Sequence, residues 1–102
     1  MPSLEQIETL LESEPEDVFL HYCRAMELAK VDRVDDALAS FDRTLELDAN
    51  YCAAYFHKGQ TLIAAGRLDD ARGVLSHGRS VAEATGDNHT RDEIAGLLET
   101  II

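Results

Sequence analysis

The sequence predicts an all-α fold of about six helices, arranged as antiparallel helix-turn-helix repeats. The first observation is an internal period of 34 residues: segments 33–37 and 67–71 both read Arg, Val or Leu, Asp, Asp, Ala. The second is that apolar residues recur at steps of three and four, the spacing of a buried helix face. The third is composition. Trp is absent and only 6 Gly and 2 Pro occur in 102 residues, which argues against a turn-rich all-β domain.

The period predicts how the single domain over residues 1–102 is organised. The same offset pairs Tyr22 with Phe56 and, extended backwards, Ile7 with Phe41. The opening residues therefore resemble the second half of a repeat. We predict a half repeat at 1–15, full repeats at 18–51 and 52–85, and a C-terminal capping helix at 88–102.

Local signals predict where the first three helices begin and end. Ser3 is placed to cap the first helix, and Pro15 closes that stretch before the second begins. Asp32 lies at the turn after the second helix, where a left-handed residue is needed. The predicted helices cover about residues 3–12, 16–30, 34–47, 51–64, 68–84 and 90 to the end.

Glycines and a capping pattern predict where the later helices begin and end. Gly66 and Gly86 follow the fourth and fifth helices, at the position where a helix ends in a left-handed residue. Gly73 and Gly78 lie inside the fifth helix, and both are predicted to allow a close approach of two helices. Thr90 and Glu93 have the spacing of a capping box for the sixth helix. The apolar face of that helix consists of Ile94, Leu97, Leu98 and Ile101.

Charge excludes several classes of function. The chain has 9 Lys and Arg against 20 Asp and Glu, a net charge of −11. It therefore lacks the basic surface that nucleic-acid binding requires, and anionic lipid would repel it. No apolar run is long enough for a membrane span, and no basic, apolar leader opens the sequence. With Cys23 and Cys52 expected as free thiols, a cytoplasmic location is predicted.

The sequence contains no motif typical of an enzyme. Neither the cysteines nor the four histidines have the spacing that places two metal ligands on one helix face, and there is no Gly-rich phosphate loop. We predict no catalytic residues, no metal site and no cofactor. A thiol or metal site at Cys23 and His57 stays as an alternative, because both occupy the same position in adjacent repeats.

The repeat resembles the tetratricopeptide repeat. Ala25 and Gly59 match the small residue of the first helix, and Phe41 matches the aromatic of the second. Arg24 departs from the pattern, as does its equivalent Lys58, because the family prefers Leu there. At both sites the packing is therefore expected to be hydrated, or the long side chain to extend its charged end to water. The resemblance implies a right-handed solenoid that acts as an interaction scaffold without enzymatic activity.

The resemblance also implies where a partner binds. In this family the first helices of the repeats line a concave groove. Members that bind C-terminal carboxylates carry Lys and Asn where this chain has Tyr22 and Met26, and Asn where it has His57. That carboxylate-binding arrangement is therefore not expected here. The predicted groove positions are Phe19, Tyr22, Cys23, Met26, Ala29, Lys30, Ala53, Phe56, His57, Gln60, Ile63 and Ala64.

Three uses of this groove stay open. It can bind a protein or peptide partner, predicted to be an amphipathic helix or extended segment with basic flanks because the chain is acidic. It can instead form a homodimer, which makes the chain a structural self-association domain. It can also be covered by the sixth helix.

Overall fold

Six α-helices make up the computed structural model of the chain, which describes residues 2–102; Met1, the first residue of the predicted half repeat, lies outside them. The described residues contain no strand. The all-α class and the six helices are therefore confirmed, and no helix in this part of the chain is long and apolar enough to span a bilayer. The helices are α1 (Leu4–Ser13), α2 (Val18–Lys30), α3 (Val34–Leu47), α4 (Cys52–Ala64), α5 (Leu68–Thr85) and α6 (Asn88–Glu99).

The first of two compact units ends at Ala49 and contains α1, α2 and α3. Here α2 and α3 form a hairpin, and α1 packs against α2. The predicted cap of α1 is confirmed: the Ser3 hydroxyl accepts a hydrogen bond from the Gln6 backbone N–H at 3.2 Å, and the Gln6 side chain accepts one from the Ser3 N–H at 2.9 Å. The fully buried core residues of this unit are Ile7, Ala25, Leu28, Ala37, Phe41 and Thr44.

Arg24, the departure from the family pattern, links three helices of the first unit. Its Nη1 donates a hydrogen bond to the Ser40 hydroxyl of α3 at 2.6 Å, and its Nη2 lies 4.0 Å from the Glu8 carboxylate of α1. The side chain is only partly exposed. A long aliphatic stem with a polar head can therefore replace the expected Leu, because the head finds partners at the edge of the core.

The second unit, Asn50–Ile102, contains the α4–α5 hairpin with α6 packed against both helices. Ile94 of α6 is completely buried, and Ile101, just beyond the helix, is 8% exposed. The Arg72 guanidinium of α5 donates two hydrogen bonds to the Ile101 carbonyl, at 2.8 and 3.1 Å. Both the apolar contact and these bonds hold the C-terminal segment on the hairpin.

The residues predicted to end helices adopt the expected backbone conformation. Asp32 has φ 60°, Gly66 has φ 77° and Gly86 has φ 79°, all in the left-handed region that glycine adopts without strain. Asp32 pays a small steric cost that Gly does not. These three positions reverse the chain after α2, α4 and α5.

The predicted capping box of the sixth helix is wrong. Helix α6 begins at Asn88, and the Asp87 carboxylate caps it by accepting a hydrogen bond from the Thr90 backbone N–H at 3.1 Å. Asp87 directly follows the left-handed Gly86, so the chain is already turned when it reaches a good N-cap residue. This N–H bond lowers the pKa of the Asp87 carboxyl. Thr90 is instead buried inside the first turn.

Gly78 lies at a close helix crossing in the second unit, as predicted. A Cβ at Gly78 would overlap the Tyr55 side chain of α4 and approach Ile94, whereas a Cβ at Gly73 of the same helix would meet nothing within 4 Å. The prediction of a close helix contact is therefore correct for Gly78 and wrong for Gly73, which faces open space.

We expect the same substitution at these two glycines to change stability in opposite directions. Gly73→Ala should raise the free energy of unfolding by about 0.8–1 kcal/mol, because alanine favours the helix. Gly78→Ala should lower it by about 1–3 kcal/mol, because overpacking against Tyr55 exceeds that gain. Urea denaturation of both variants measures the difference. Stabilisation by Gly78→Ala would show that α4 and α5 do not cross closely there.

Candidate partner-binding site

The predicted groove positions of the first unit all lie on α2, and they form an aromatic surface with an apolar edge. Phe19, in the first turn, is 57% exposed. Its ring centroid lies 6.5 Å from that of Tyr22, and the Tyr22 ring in turn meets Phe41 edge-on at 6.4 Å. Met26 is half-buried one turn further on. Exposed Phe19 is therefore supported from the core through Tyr22.

Lys30 and Cys23 differ from these neighbours. Lys30 is exposed, and its ammonium forms an ion pair with Glu27 at 2.9 Å. Cys23 is 2% exposed. Burial raises the pKa of the Cys23 thiol, and the negative charges of Asp17 and Glu27 raise it further. A thiol that stays protonated at neutral pH is a weak nucleophile and a poor metal ligand.

The groove positions of the second unit lie on α4 and are more polar. The Phe56 ring meets the His57 imidazole edge-on at 5.1 Å, and His57 Nδ1 lies at hydrogen-bond distance, 3.2 Å, from the Gln60 amide oxygen. Gln60 is exposed, and Phe56, His57 and Ile63 are half-buried. Although α6 packs against α4 in this unit, it leaves these four side chains partly open.

Burial favours the uncharged form of the His57 imidazole. This burial lowers the pKa of the imidazole, an effect larger than the opposing influence of the Gln60 hydrogen bond and the Glu93 charge. The α4 surface therefore offers an aromatic ring, an apolar side chain and neutral hydrogen-bonding groups. It offers no fixed positive charge at His57 for an anionic ligand.

The other histidines have local structural contacts. His21 Nε2 lies 2.7 Å from the Pro15 carbonyl in the turn before α2, and the His77 ring meets Tyr55 edge-on at 5.4 Å. His89 lies 3.3 Å from the Glu93 carboxylate on α6. Within residues 2–102, no group of three or more His, Cys, Asp or Glu side chains is placed to hold a metal ion.

One surface was not predicted from the sequence. An open concavity on α1 is lined by Pro2, Ser3, Glu5, Gln6, Thr9 and Leu10, and Leu10 is 47% exposed. The repeat frame contains the signal that identifies it, because Leu10 aligns with Thr44, which is completely buried in α3.

Comparisons with known proteins agree with this architecture. The family model described as tetratricopeptide repeat matches residues 28–87, more than half of the chain. A search of curated proteins finds no match. Among solved structures, the TPR2B-domain:pHsp70-complex of yeast Sti1 superposes with a TM-score of 0.88 at 25% identity, and the match covers 94% of this chain and 77% of that chain.

Two bacterial structures are also similar. A tetratricopeptide repeat domain protein from Salinibacter ruber shares 32% identity with a TM-score of 0.77, over 85% of this chain and 88% of that chain. A protein from Bordetella parapertussis shares 24% identity with a TM-score of 0.87, over 99% of this chain and 88% of that chain. With the repeat period, the helical hairpins and the matching family model, the chain belongs to the tetratricopeptide repeat family, a family of scaffolds for protein–protein interaction.

Proposed function

We propose that the chain is a non-enzymatic interaction module that binds an amphipathic helix or extended segment of a partner protein through the apolar faces of α2 and α4. The observation that carries the proposal is Phe19. Phe19 has 57% of its surface exposed, and its ring lies beside that of Tyr22, which meets the buried Phe41 edge-on. It is therefore an apolar anchor held in place before binding. Rigid aromatic side chains of this kind supply much of the binding energy at protein interfaces.

The remaining predicted positions have roles that follow from their exposure. Met26 and Ile63, half-buried, extend the apolar faces, and Met adapts its shape to different ligands. Gln60 and Lys30 are exposed and suit polar contacts at the rim. Cys23 is buried, so we expect it to support its neighbours from beneath rather than to touch the partner.

The side chains on the faces of α2 and α4 favour an internal segment of the partner as the ligand over its free C-terminus. The similar Sti1 domain is in a complex with pHsp70, which supports a peptide as the kind of partner. This chain has Tyr22, Met26 and a neutral His57 where carboxylate-gripping members of the family have Lys and Asn. At these three positions a terminal carboxylate would find no cation, whereas an apolar side chain would find aromatic contacts. The net charge of −11 favours basic flanks on the partner.

We expect the double variant Tyr22→Ala, Phe56→Ala to lose more than about 2 kcal/mol of binding free energy, about a thirtyfold loss of affinity. The ligands are peptides selected from a phage-displayed random library on the wild-type protein, and titration calorimetry measures the affinity. Phe19→Ala, which removes an exposed ring, should weaken binding with little change in thermal stability.

A matched control uses an exposed apolar residue on a helix that carries none of the predicted groove positions. Leu68 on α5 is 39% exposed, and Leu68→Ala should leave peptide affinity unchanged. Equal affinity of the wild type and the double variant would contradict the proposal. Light scattering distinguishes the alternative: a wild-type dimer that the double variant converts to monomer indicates that the face serves self-association.

A further inference from the structure

We propose that α1 provides a second docking site, for a basic amphipathic helix of another protein. This helix would occupy the place that the first helix of a hairpin occupies in each complete repeat. The site is the concavity lined by Pro2, Ser3, Glu5, Gln6, Thr9 and Leu10, here named the α1 face. It is distinct from the faces of α2 and α4, so the inference does not rest on the function proposed above.

Equivalent positions in the two complete hairpins show what the α1 face is shaped to contact. A shift of one 34-residue repeat aligns Gln6 with Ser40, and a shift of two repeats aligns Leu10 with Gly78. In the first hairpin, Ser40 accepts the Arg24 hydrogen bond from α2. In the second, the backbone at Gly78 meets the Tyr55 side chain of α4 so closely that a Cβ would overlap it. Both positions therefore contact the first helix of their own hairpin.

In α1 the same two positions have no such helix. Within the first unit, α1 packs against α2 alone, and its buried residue is Ile7. Gln6 and Leu10 are exposed, whereas Ser40 and Thr44, their equivalents in α3, are 2% and 0% exposed. The α1 face is thus the surface of a second helix whose hairpin partner is not among residues 2–102.

The size of Leu10 sets a requirement on the docked helix. In α5 the small Gly78 leaves room for the large Tyr55 of the helix that crosses it. Leu10 fills that space at the equivalent crossing, so close packing requires a small residue, Ala or Gly, on the incoming helix. Apolar residues one turn to either side of it would cover the rest of the α1 face.

Charge selects a basic partner rather than a second copy. Glu5 and Glu12 lie two turns apart, so they share one edge of α1, and residues 2–17 contain six acidic residues and no basic one. A second copy carries the same net charge of −11, so its approach would be repelled at low salt. A helix with Lys or Arg at two positions seven residues apart would face both glutamates.

The test uses two synthetic Ala-based helical peptides of about 18 residues, long enough to form a helix. Both carry Leu, Ala and Leu one helical turn apart along one face. One peptide has two Lys residues seven positions apart at the edge of that face, and the other has Glu at both positions. We expect the Lys peptide to bind the full chain at least about tenfold more tightly by fluorescence anisotropy. It should shift the amide NMR signals of Glu5, Gln6, Thr9 and Leu10.

Variants of the protein locate the contact. Leu10→Asp, at an exposed position, should weaken binding of the Lys peptide about tenfold while the circular dichroism spectrum stays unchanged. Glu12→Lys should weaken it severalfold, and Glu46→Lys should not; Glu46 is exposed and occupies the equivalent position in α3, so both variants change the net charge equally.

Four results would overturn the inference. The first is equal affinity for the two peptides, and the second is an affinity for the Lys peptide that Leu10→Asp leaves unchanged. The third is a shift of the NMR signals of Phe19, Tyr22 and Phe56 instead of those of α1. This third result would leave the proposed function of α2 and α4 intact. The fourth is a wild-type dimer that Leu10→Asp dissociates, because it would show that a second copy occupies the α1 face.

Discussion

Replacing Phe41 with alanine is expected to lower the free energy of unfolding by about 3–5 kcal/mol, the range for truncating a buried aromatic side chain. Phe41 is completely buried in the first unit, where Tyr22 packs against its ring. Its removal leaves a cavity and takes away the support beneath Tyr22. Since small domains are stable by only about 5–15 kcal/mol, chemical denaturation of the variant should show a large shift of the midpoint.

Phe19→Ala is the matched control for this experiment. It deletes the same atoms from the same unit, but Phe19 is 57% exposed. We therefore expect it to change the free energy of unfolding by less than about 1 kcal/mol. If the two variants were equally stable, Phe41 would not be a core residue and the assignment of the repeat frame would be wrong.

Removal of residues 88–102 is expected to produce an aggregating protein. These residues include Ile94 and Ile101, which are buried in the second unit, and their loss exposes the apolar surfaces of α4 and α5 beneath them. A repeat array needs a terminal helix that covers its last apolar face, because that face otherwise binds other molecules. Size-exclusion chromatography with light scattering should show large species in place of the full-length form.

Two further variants show whether the loss of buried apolar contacts causes the aggregation. Deleting Ile102 alone, which is 95% exposed, should have no effect on solubility or stability. Ile94→Asp keeps the full length but places a charge in the core, so it should destabilise the protein strongly and increase aggregation. A soluble, equally stable protein lacking residues 88–102 would contradict the capping role of α6.

Most of the helical framework could be predicted from the sequence because its signals are local. Apolar steps of three and four and the capping of Ser3 depend on residues close together along the chain, and the 34-residue period shows that the same local pattern recurs. The left-handed conformations of Asp32, Gly66 and Gly86 follow from side-chain sterics in the same way. The start of α6 was missed because two capping patterns overlap there, and Asp87 lies directly after the turn.

The candidate surfaces were less predictable. The groove positions on α2 and α4 follow from the repeat frame, but the frame does not show how far each side chain is open. Cys23 and Phe19 both belong to the predicted groove, yet one is 2% exposed and the other 57%. Exposure depends on what the neighbouring helices cover, and that information is spread over distant parts of the sequence.

The class of fold, the number of helices and the turns between them therefore follow from the amino-acid sequence alone, since helix formation follows periodicity and capping. Three features emerge only from the way the helices pack: Arg24 donates a hydrogen bond to Ser40, Tyr55 crosses closely over Gly78, and Leu10 is left open on α1. Each of these depends on a contact, or the lack of one, between helices. Such contacts are set by side-chain volumes and by which helices pack together, neither of which a helical period encodes.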